Sequence, residues 1–238
     1  MAKILISFPV YNEEKILKKN CLKVLDFCQK HFNDEFLFVI ANNASNDNTG
    51  LIADELALKY SNIEHFFIKK KGKGIAIKKS WQKYKADYYI FMDIDLSTDL
   101  KALPVLISNL KEKKADLVIG SRYVLGAKYK RSLPRLMISK IYNLLFKFIL
   151  NCSIKDMAIG FKGANYKLVK EILPLVENNN WFFDSELVIL SYYKGYKVKE
   201  IPVVWQEFGE RKSRVNVFKV GWEYLVEIFK LKKRFKNK

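Results

Sequence analysis

Cysteine, proline and glycine are all sparse in this chain, at 3, 5 and 10 of 238 residues. The cysteines, Cys21, Cys28 and Cys152, are odd in number and lack metal-type spacing, which argues against a disulfide framework and for a reducing compartment. Cys21 and Cys28 stand two helical turns apart, so the expectation is packing on one helix face. With little Gly or Pro and half of the residues hydrophobic, collagen-like structure and general disorder are excluded. No apolar run reaches the roughly 20 residues that span a bilayer. The opening "MAKILISFPVYNEEK" meets Pro9 and then charge, unlike a signal peptide. The expectation is a soluble or peripheral protein. Acids are also in deficit: 25 Asp and Glu face 43 Lys and Arg, a formal charge of +18. Such a surface favours nucleic acid, phosphorylated ligands or an acidic membrane face, without choosing among them.

What the chain does have is alternation. Apolar strand candidates fall at 4–10, 36–41, 63–68, 88–92 and 117–120, with helical patterns at 13–31, 48–60, 74–84 and 100–113 between them. Strand and helix alternating over short connections predict an α/β fold with a mostly parallel sheet flanked by helices. Ligands of such sheets bind beyond the carboxyl ends of the strands. The punctuation there reads "PVYNEE", "NNASNDNT", "KKKGKG", "DIDLS" and "GSRY", five loops able to converge on one cleft. Beyond Tyr123 the pattern loosens into a basic turn and apolar helix at 128–150 and the segment "IKDMAIGFKG". Helices near 166–173 and 183–194, the strand "KVKEIPVVW", the basic loop "GERKSR" and an amphipathic tail rich in lysine complete the chain. There is no internal repeat and no long linker.

Asp93 and Asp95 end the fourth strand. Residues i and i+2 of a straight strand point to opposite faces, so both can address one ligand only if the strand stops and the chain turns. Carboxylates of this kind suit Mg²⁺ or Mn²⁺ shared with a substrate diphosphate, whose leaving-group charge the ion neutralises. A lone Asp-x-Asp also fits ordinary loop or cap acids. "GKG" before a helix offers close backbone approach, the Lys73 charge and N–H groups suited to phosphate, although the Walker spacing is absent.

The ordered motifs "FPVYNEE", "NNASNDNT", "GKG", "DIDLS" and "GSR" resemble those of family 2 glycosyltransferases with the GT-A fold. "RSLPR", "IKDMAIGFK", "WFFDSELV" and "IPVVWQE" resemble in particular the dolichyl-phosphate β-glucosyltransferase and polyprenyl-phosphate mannose synthase group. The likeness runs from about Ile4 to Val215. It implies a Rossmann-like GT-A catalytic domain over 1–215 and a basic amphipathic helix over 216–238. It further implies a nucleotide diphosphate sugar donor, with Pro9, Tyr11 and Glu13 on the nucleoside. Asn42 to Ser45 replace the family's Asp-Asp-Gly-Ser; Asn42 can still accept from a base N–H, but the nucleotide preference stays open. Asp93 and Asp95 match the metal-diphosphate motif, Asp95 being the favoured direct ligand and Ser97 a third candidate. Arg122, Arg131 and Ser132 would grip a lipid phosphate, with Arg135 a further candidate, and Lys212 and Arg214 sit where a family loop closes on the diphosphate.

Sugar transfer to an alcohol needs a general base, whereas a phosphate monoester is already largely dianionic near neutrality. No base is evident in the sequence, although Asp156 or Glu186 is a candidate, and the roles of both and of Lys162 stay open. This chemistry favours a phosphate acceptor, and the resemblance implies that it is a polyprenyl phosphate, with UDP-glucose the expected donor and GDP-mannose next, and the cytoplasmic, inner face of a membrane the expected place. The helix after Pro134 and the tail are expected in the interface or, alternatively, packed on the sheet. A soluble or polymeric glycan acceptor and a nucleic-acid binder are the competing readings; no nucleic-acid motif accompanies the charge.

Overall fold

The computed structural model describes residues 1–130, 133–206 and 217–236. Its centre is a seven-stranded sheet. The strands β1 (Lys3–Val10), β2 (Glu35–Asn43), β3 (Ile63–Ile68), β4 (Tyr88–Met92) and β5 (Leu117–Ser121) match the expected five. Together with β7 (Phe161–Asn165) and β8 (Val198–Pro202) they run in the order β3-β2-β1-β4-β7-β5-β8. All neighbours are parallel except β7, which lies antiparallel between β4 and β5. Burial on both faces explains the continuous apolar runs: Ile4, Leu5, Ile6 and Phe8 of β1 and Leu117, Val118 and Ile119 of β5 are inaccessible.

Helix α1 (Leu17–His31) buries Leu17, Cys21, Val24, Leu25 and Cys28, a helical stripe that places both cysteines in the core as expected. Burial pushes each thiol up to about 12. The helix starts later than its periodicity suggests because 13–16 form a turn closed by Ile16 N–H and Leu17 N–H on the Glu13 carbonyl. Helices α2 (Thr49–Lys59), α3 (Lys73–Lys83) and α4 (Ala102–Lys111) supply the other crossovers. Strand β7 is the element that the sequence pattern does not reveal, since Phe-Lys-Gly-Ala-Asn carries little β preference. Its place is set by packing: a Cβ on Gly163 would lie 2.5 Å from Leu106 Cδ2 of α4.

The expected strand "KVKEIPVVW" divides. Pro202 has no N–H to continue a ladder; β8 ends there, and β9 (Val204–Gln206) pairs with β6 (Lys128–Lys130) in a second, two-stranded sheet. Helices α5 (Leu133–Leu150), α6 (Tyr166–Ile172), α7 (Phe183–Tyr193) and α8 (Val217–Lys236) complete the fold. Asn165 caps α6 by accepting from Leu168 N–H at 2.9 Å. Helices α5 and α8 pack on each other and against α7: Phe146, Leu150, Ile228 and Leu231 are buried, the Tyr224 ring lies 4.6 Å from Tyr142, Tyr142 Oη is 3.1 Å from Ser185 Oγ, and the Phe235 ring lies 4.2 Å from Tyr193. Among the described residues no helix is long and apolar enough to cross a membrane.

Candidate active site

The carboxyl ends of the strands meet as expected. After β4 the chain turns at once: Leu96 N–H reaches the Asp93 carbonyl at 3.2 Å, with Leu96 itself left-handed at φ 54°. This turn brings Asp93 and Asp95 into one pocket, lined also by Met92, Ser97, Thr98, Gly160 and Trp205. Ser97 N–H donates to Asp95 Oδ1 at 3.0 Å. Burial and the neighbouring Asp93 charge raise the Asp95 carboxyl above its ordinary range, with Ser97 pulling the other way. Ser97, a candidate third ligand, thus supports the Asp95 carboxylate.

Asp93 is fixed from behind. Its N–H donates to the Gly160 carbonyl at 3.0 Å, and a Cβ on Gly160 would fall 1.9 Å from Asp93 Oδ2. Glycine is required there because the carboxylate occupies the side chain's place. The Thr98–Trp205 bridge and Gln206 N–H on the Ser97 carbonyl (2.9 Å) lay β9 over the turn. Gly160 and Trp205 are site residues that no local rule singled out, although both lie within quoted motifs.

The loops after β1 and β2 form one interlocked rim. Asn12 and Asn46 exchange two hydrogen bonds of 2.7 and 2.9 Å, Asn12 N–H donates to Ser45 Oγ at 2.9 Å, and Glu13 N–H donates to Thr49 Oγ1 at 2.7 Å. Tyr11 accepts from Lys71 Nζ at 2.9 Å, and Pro9 sits in β1 opposite Ala41. Asn42 departs from expectation: it is 2% exposed, and its side-chain oxygen accepts from Ser45 N–H at 3.2 Å, so it closes the turn instead of facing a base.

The reading of "GKG" as a phosphate cradle of open N–H groups also requires correction. Gly74 N–H and Ile75 N–H donate to the Asn180 and Asn179 carbonyls at 3.2 and 3.0 Å, and Gly72 N–H to Asn43 Oδ1 at 2.6 Å. A Cβ on Gly72 would lie 2.2 Å from the Asn179 carbonyl oxygen, so its glycine admits the 178–180 loop. Lys73 alone turns toward the site, with Nζ 2.8 Å from Asp93 Oδ1 and 3.2 Å from Asp184 Oδ2. Burial opposes its charge, but Asp184 and Asp93 outweigh that and raise it. Asp184, to which the sequence assigned no role, is 2% exposed and leaves Oδ1 without a partner.

Arg122 does not present its fork to a lipid phosphate. It is 6% exposed, with Nε and Nη2 donating to the two oxygens of Asp156 at 2.7 and 2.8 Å. Its guanidinium lies 5.1 Å from the centre of the Trp205 ring. Asp156 also accepts from Arg122 N–H at 3.0 Å, and Glu186 accepts from Glu177 N–H, Asn178 N–H and Arg234 Nη1 at 3.1, 2.7 and 2.7 Å. Both candidate bases are therefore buried and hydrogen-bonded on each oxygen. Lys162 is inaccessible, donates to the Ile159 carbonyl, and is brought down to about 8 by burial, chiefly against the pull of Asp184. Arg131, Ser132, Lys212 and Arg214 lie outside the described residues, as does the side chain of Arg135.

Among the described residues no group of three or more His, Cys, Asp or Glu could hold a metal ion. Two carboxylates lining one pocket, one raised by burial and by the other's charge, nevertheless fit Mg²⁺ or Mn²⁺, which retain water and complete their shell with substrate phosphates.

Known proteins agree with this architecture. Glucosyl-3-phosphoglycerate synthase of Mycobacterium tuberculosis, solved with Mn²⁺, UDP and glucosyl-3-phosphoglycerate, superposes with a TM-score of 0.68 at 14% identity, covering 97% of this chain and 80% of that one. S. aureus TarS superposes at 0.65 with 17% identity, covering 97% of this chain and 64% of that one. These likenesses show the fold, which is GT-A. In sequence, dolichyl-phosphate beta-glucosyltransferase of Saccharomyces cerevisiae is 28% identical over 232 residues, 89% of this chain and 69% of that protein. Dolichol-phosphate mannosyltransferase of Pyrococcus furiosus is 31% identical over 234 residues, 97% and 64% respectively. Glycosyltransferase AglD of Haloferax volcanii is 27% identical over 209 residues, and this chain spans only 34% of its length. The match to the family described as glycosyl transferase family 2 extends over residues 6–173, and on that span the chain belongs to glycosyl transferase family 2.

Proposed function

We propose that this chain moves a hexose from a nucleotide diphosphate sugar to a polyprenyl or dolichyl phosphate with inversion at the anomeric carbon, UDP-glucose being the favoured donor and GDP-mannose the next. One observation carries the choice of acceptor: the two carboxylates that the sequence offers as bases, Asp156 and Glu186, are closed on Arg122 and on Arg234 with backbone N–H groups. An alcohol acceptor would find neither of them as a base, whereas a phosphate monoester, with a second pKa near 6, attacks without one. A phosphate oxygen forms the bond to the anomeric carbon as the bond from that carbon to the diphosphate breaks, and the nucleoside diphosphate departs with the electron pair. Tyr11, Glu13 and Pro9 hold the nucleoside at the rim. Asp93 and Asp95 would hold a divalent ion, which when bound neutralises charge on the departing diphosphate. Arg131, Ser132 and Arg135 receive the acceptor phosphate, and Lys212 and Arg214 close on the donor. The yeast and archaeal relatives named for dolichyl-phosphate and dolichol-phosphate transfer support the lipid.

The outer faces of α5 and α8 support a peripheral place at the inner membrane face. Ile141, Leu144 and Phe148, at i, i+3 and i+7, are 55, 54 and 76% exposed; Trp222, Val226 and Phe229, at i, i+4 and i+7, are 70, 37 and 58% exposed. Each helix is thus apolar on two sides, one against α7 and one outward.

Thermal shifts against a nucleotide-sugar panel, with and without Mn²⁺, should show the largest stabilisation with a UDP-sugar plus metal. Radiolabelled sugar should then pass into organic extract only when polyprenyl phosphate is present. Label transferred to a water-soluble glycan and not to lipid would overturn the acceptor assignment.

A further inference from the structure

The metal side of the site is already held by a cation of the chain's own. Lys73 Nζ bridges Asp93 Oδ1 and Asp184 Oδ2 at 2.8 and 3.2 Å, with 8% of its side chain exposed against 44% for Asp93 and 4% for Asp184. It cannot retreat by shifting its helix, because the first turn of α3 is tied to the 178–180 loop through Gly74 N–H and Ile75 N–H. The Phe91 and Trp181 rings stand 5.5 and 5.8 Å from the ammonium, leaving few polar alternatives around it. Asp93 is fixed too, since Gly160 backs its carboxylate. A dication arriving at Asp93 therefore meets a competing positive charge at contact distance, whereas a diphosphate arriving at the same place meets an attractive one.

We infer that Lys73 is a built-in counter-cation, positioned by Asp184 against Asp93, which makes metal binding at Asp93 and Asp95 conditional on a nucleotide diphosphate. The inference rests on the donor reading above and deepens it by setting how the site fills: the metal binds weakly alone, and the diphosphate satisfies Lys73 as the metal takes over Asp93. Asp184 is the positioning residue, holding the ammonium when Asp93 is given up.

The test is binding, measured without any acceptor. Free Mn²⁺ is followed by its electron paramagnetic resonance signal with and without UDP, in the wild type, Lys73→Gln and Lys73→Arg. Lys73→Gln should bind Mn²⁺ alone roughly tenfold more tightly and UDP in the presence of Mn²⁺ roughly tenfold more weakly, a coupling of ordinary size. Lys73→Arg, which keeps the charge, should stay near the wild type in Mn²⁺ alone. A purely structural lysine would move both affinities in the same direction. A Lys73→Gln protein that binds Mn²⁺ no more tightly overturns the inference while the donor reading stands, provided that the wild type binds UDP with Mn²⁺; a wild type that binds neither sinks both. Asp184→Asn reads the balance from the other side. It leaves Lys73 to Asp93 alone, so Mn²⁺ alone should bind more weakly than in the wild type, and unchanged affinity would count against the inference.

Discussion

Asp95 and Asp156 stand at the same edge of the sheet, the first just after β4 and the second just before antiparallel β7, yet their surroundings are opposite. Asp156 is closed: its oxygens take the Arg122 fork, and its own N–H and that of Lys155 donate to Glu200, each at 3.0 Å. Asp95 is raised by burial and by Asp93, with Lys73 only a minor counterweight. A balanced pair of this kind ties the segment after β5 to the one before β7, whereas an acid whose charge the fold disfavours fits the metal role proposed for Asp95. On the proposed function, the difference assigns stability to Asp156 and chemistry to Asp95.

Exchanging the two acids for amides gives the largest contrast. Asp156→Asn leaves the buried Arg122 guanidinium without its counter-charge, which costs about 3–5 kcal/mol and should lower Tm by roughly ten degrees in a chain of this length. Asp95→Asn removes a charge that the folded chain disfavours, so Tm should hold or rise, while transfer to the lipid acceptor falls by roughly two to three orders of magnitude. Calorimetry and the radiolabel assay read the two axes separately. Equal melting losses in both variants would dissolve the distinction.

That contrast was only half legible in the sequence. The five parallel strands and the convergence of their loops follow from apolar runs and punctuation, and the turn at "DIDLS" follows from what two acids at i and i+2 require. What stayed hidden depends on distant pairing. Lys73 and Asp184 meet across 111 positions of chain, and Arg122 and Asp156 across 34, so neither partner marks the other locally. Arg122 in "GSR" looks like an exposed phosphate ligand until Asp156 is placed beside it. The glycines of "GKG" mislead for the same reason, because the 178–180 loop that fills their space lies about a hundred residues on.

Among the cations the contrast repeats at smaller size. Arg122 is matched by a fork, whereas Lys162, also buried, donates to the Ile159 carbonyl, with no carboxylate at hydrogen-bond distance among the described residues, and is brought down to about 8. A lysine depressed from 10.5 is penalised in the folded state while it is charged, by about 3 kcal/mol at neutral pH. Between about 8 and 10.5 the unfolded chain holds this proton and the folded chain does not, so this group's contribution to stability rises with pH. Lys162→Met, of similar length and apolar, should therefore be more stable than the wild type at pH 7. Its advantage should shrink steadily as pH rises through that window. Denaturant titrations of both proteins across the range measure the difference directly, which cancels the opposing titration of the buried cysteines. An advantage independent of pH would mean that packing, not charge, distinguishes the two.

The smallest contrast is in the backbone of the rim. Ala44, between the clamp at Asn43 and the turn bond from Ser45 to Asn42, has φ 58°, where a Cβ crowds the following carbonyl. Ala57 lies within helix α2, in the conformation that alanine favours most. The same substitution should thus act with opposite sign at the two places. Ala57→Gly should cost about 1 kcal/mol, whereas Ala44→Gly removes the steric conflict, partly offset by the freer unfolded chain, and should gain about 0.5 kcal/mol. The hydrogen bonds of the rim use backbone groups and the side chains of Asn, Ser and Thr residues, so removing a methyl group at Ala44 breaks none of them, and nucleotide affinity should be unchanged. If Ala44→Gly proved as destabilising as Ala57→Gly, the left-handed turn would not be the conformation that the rim adopts in solution, and the interlock of the first two loops would have to be rebuilt around a different backbone.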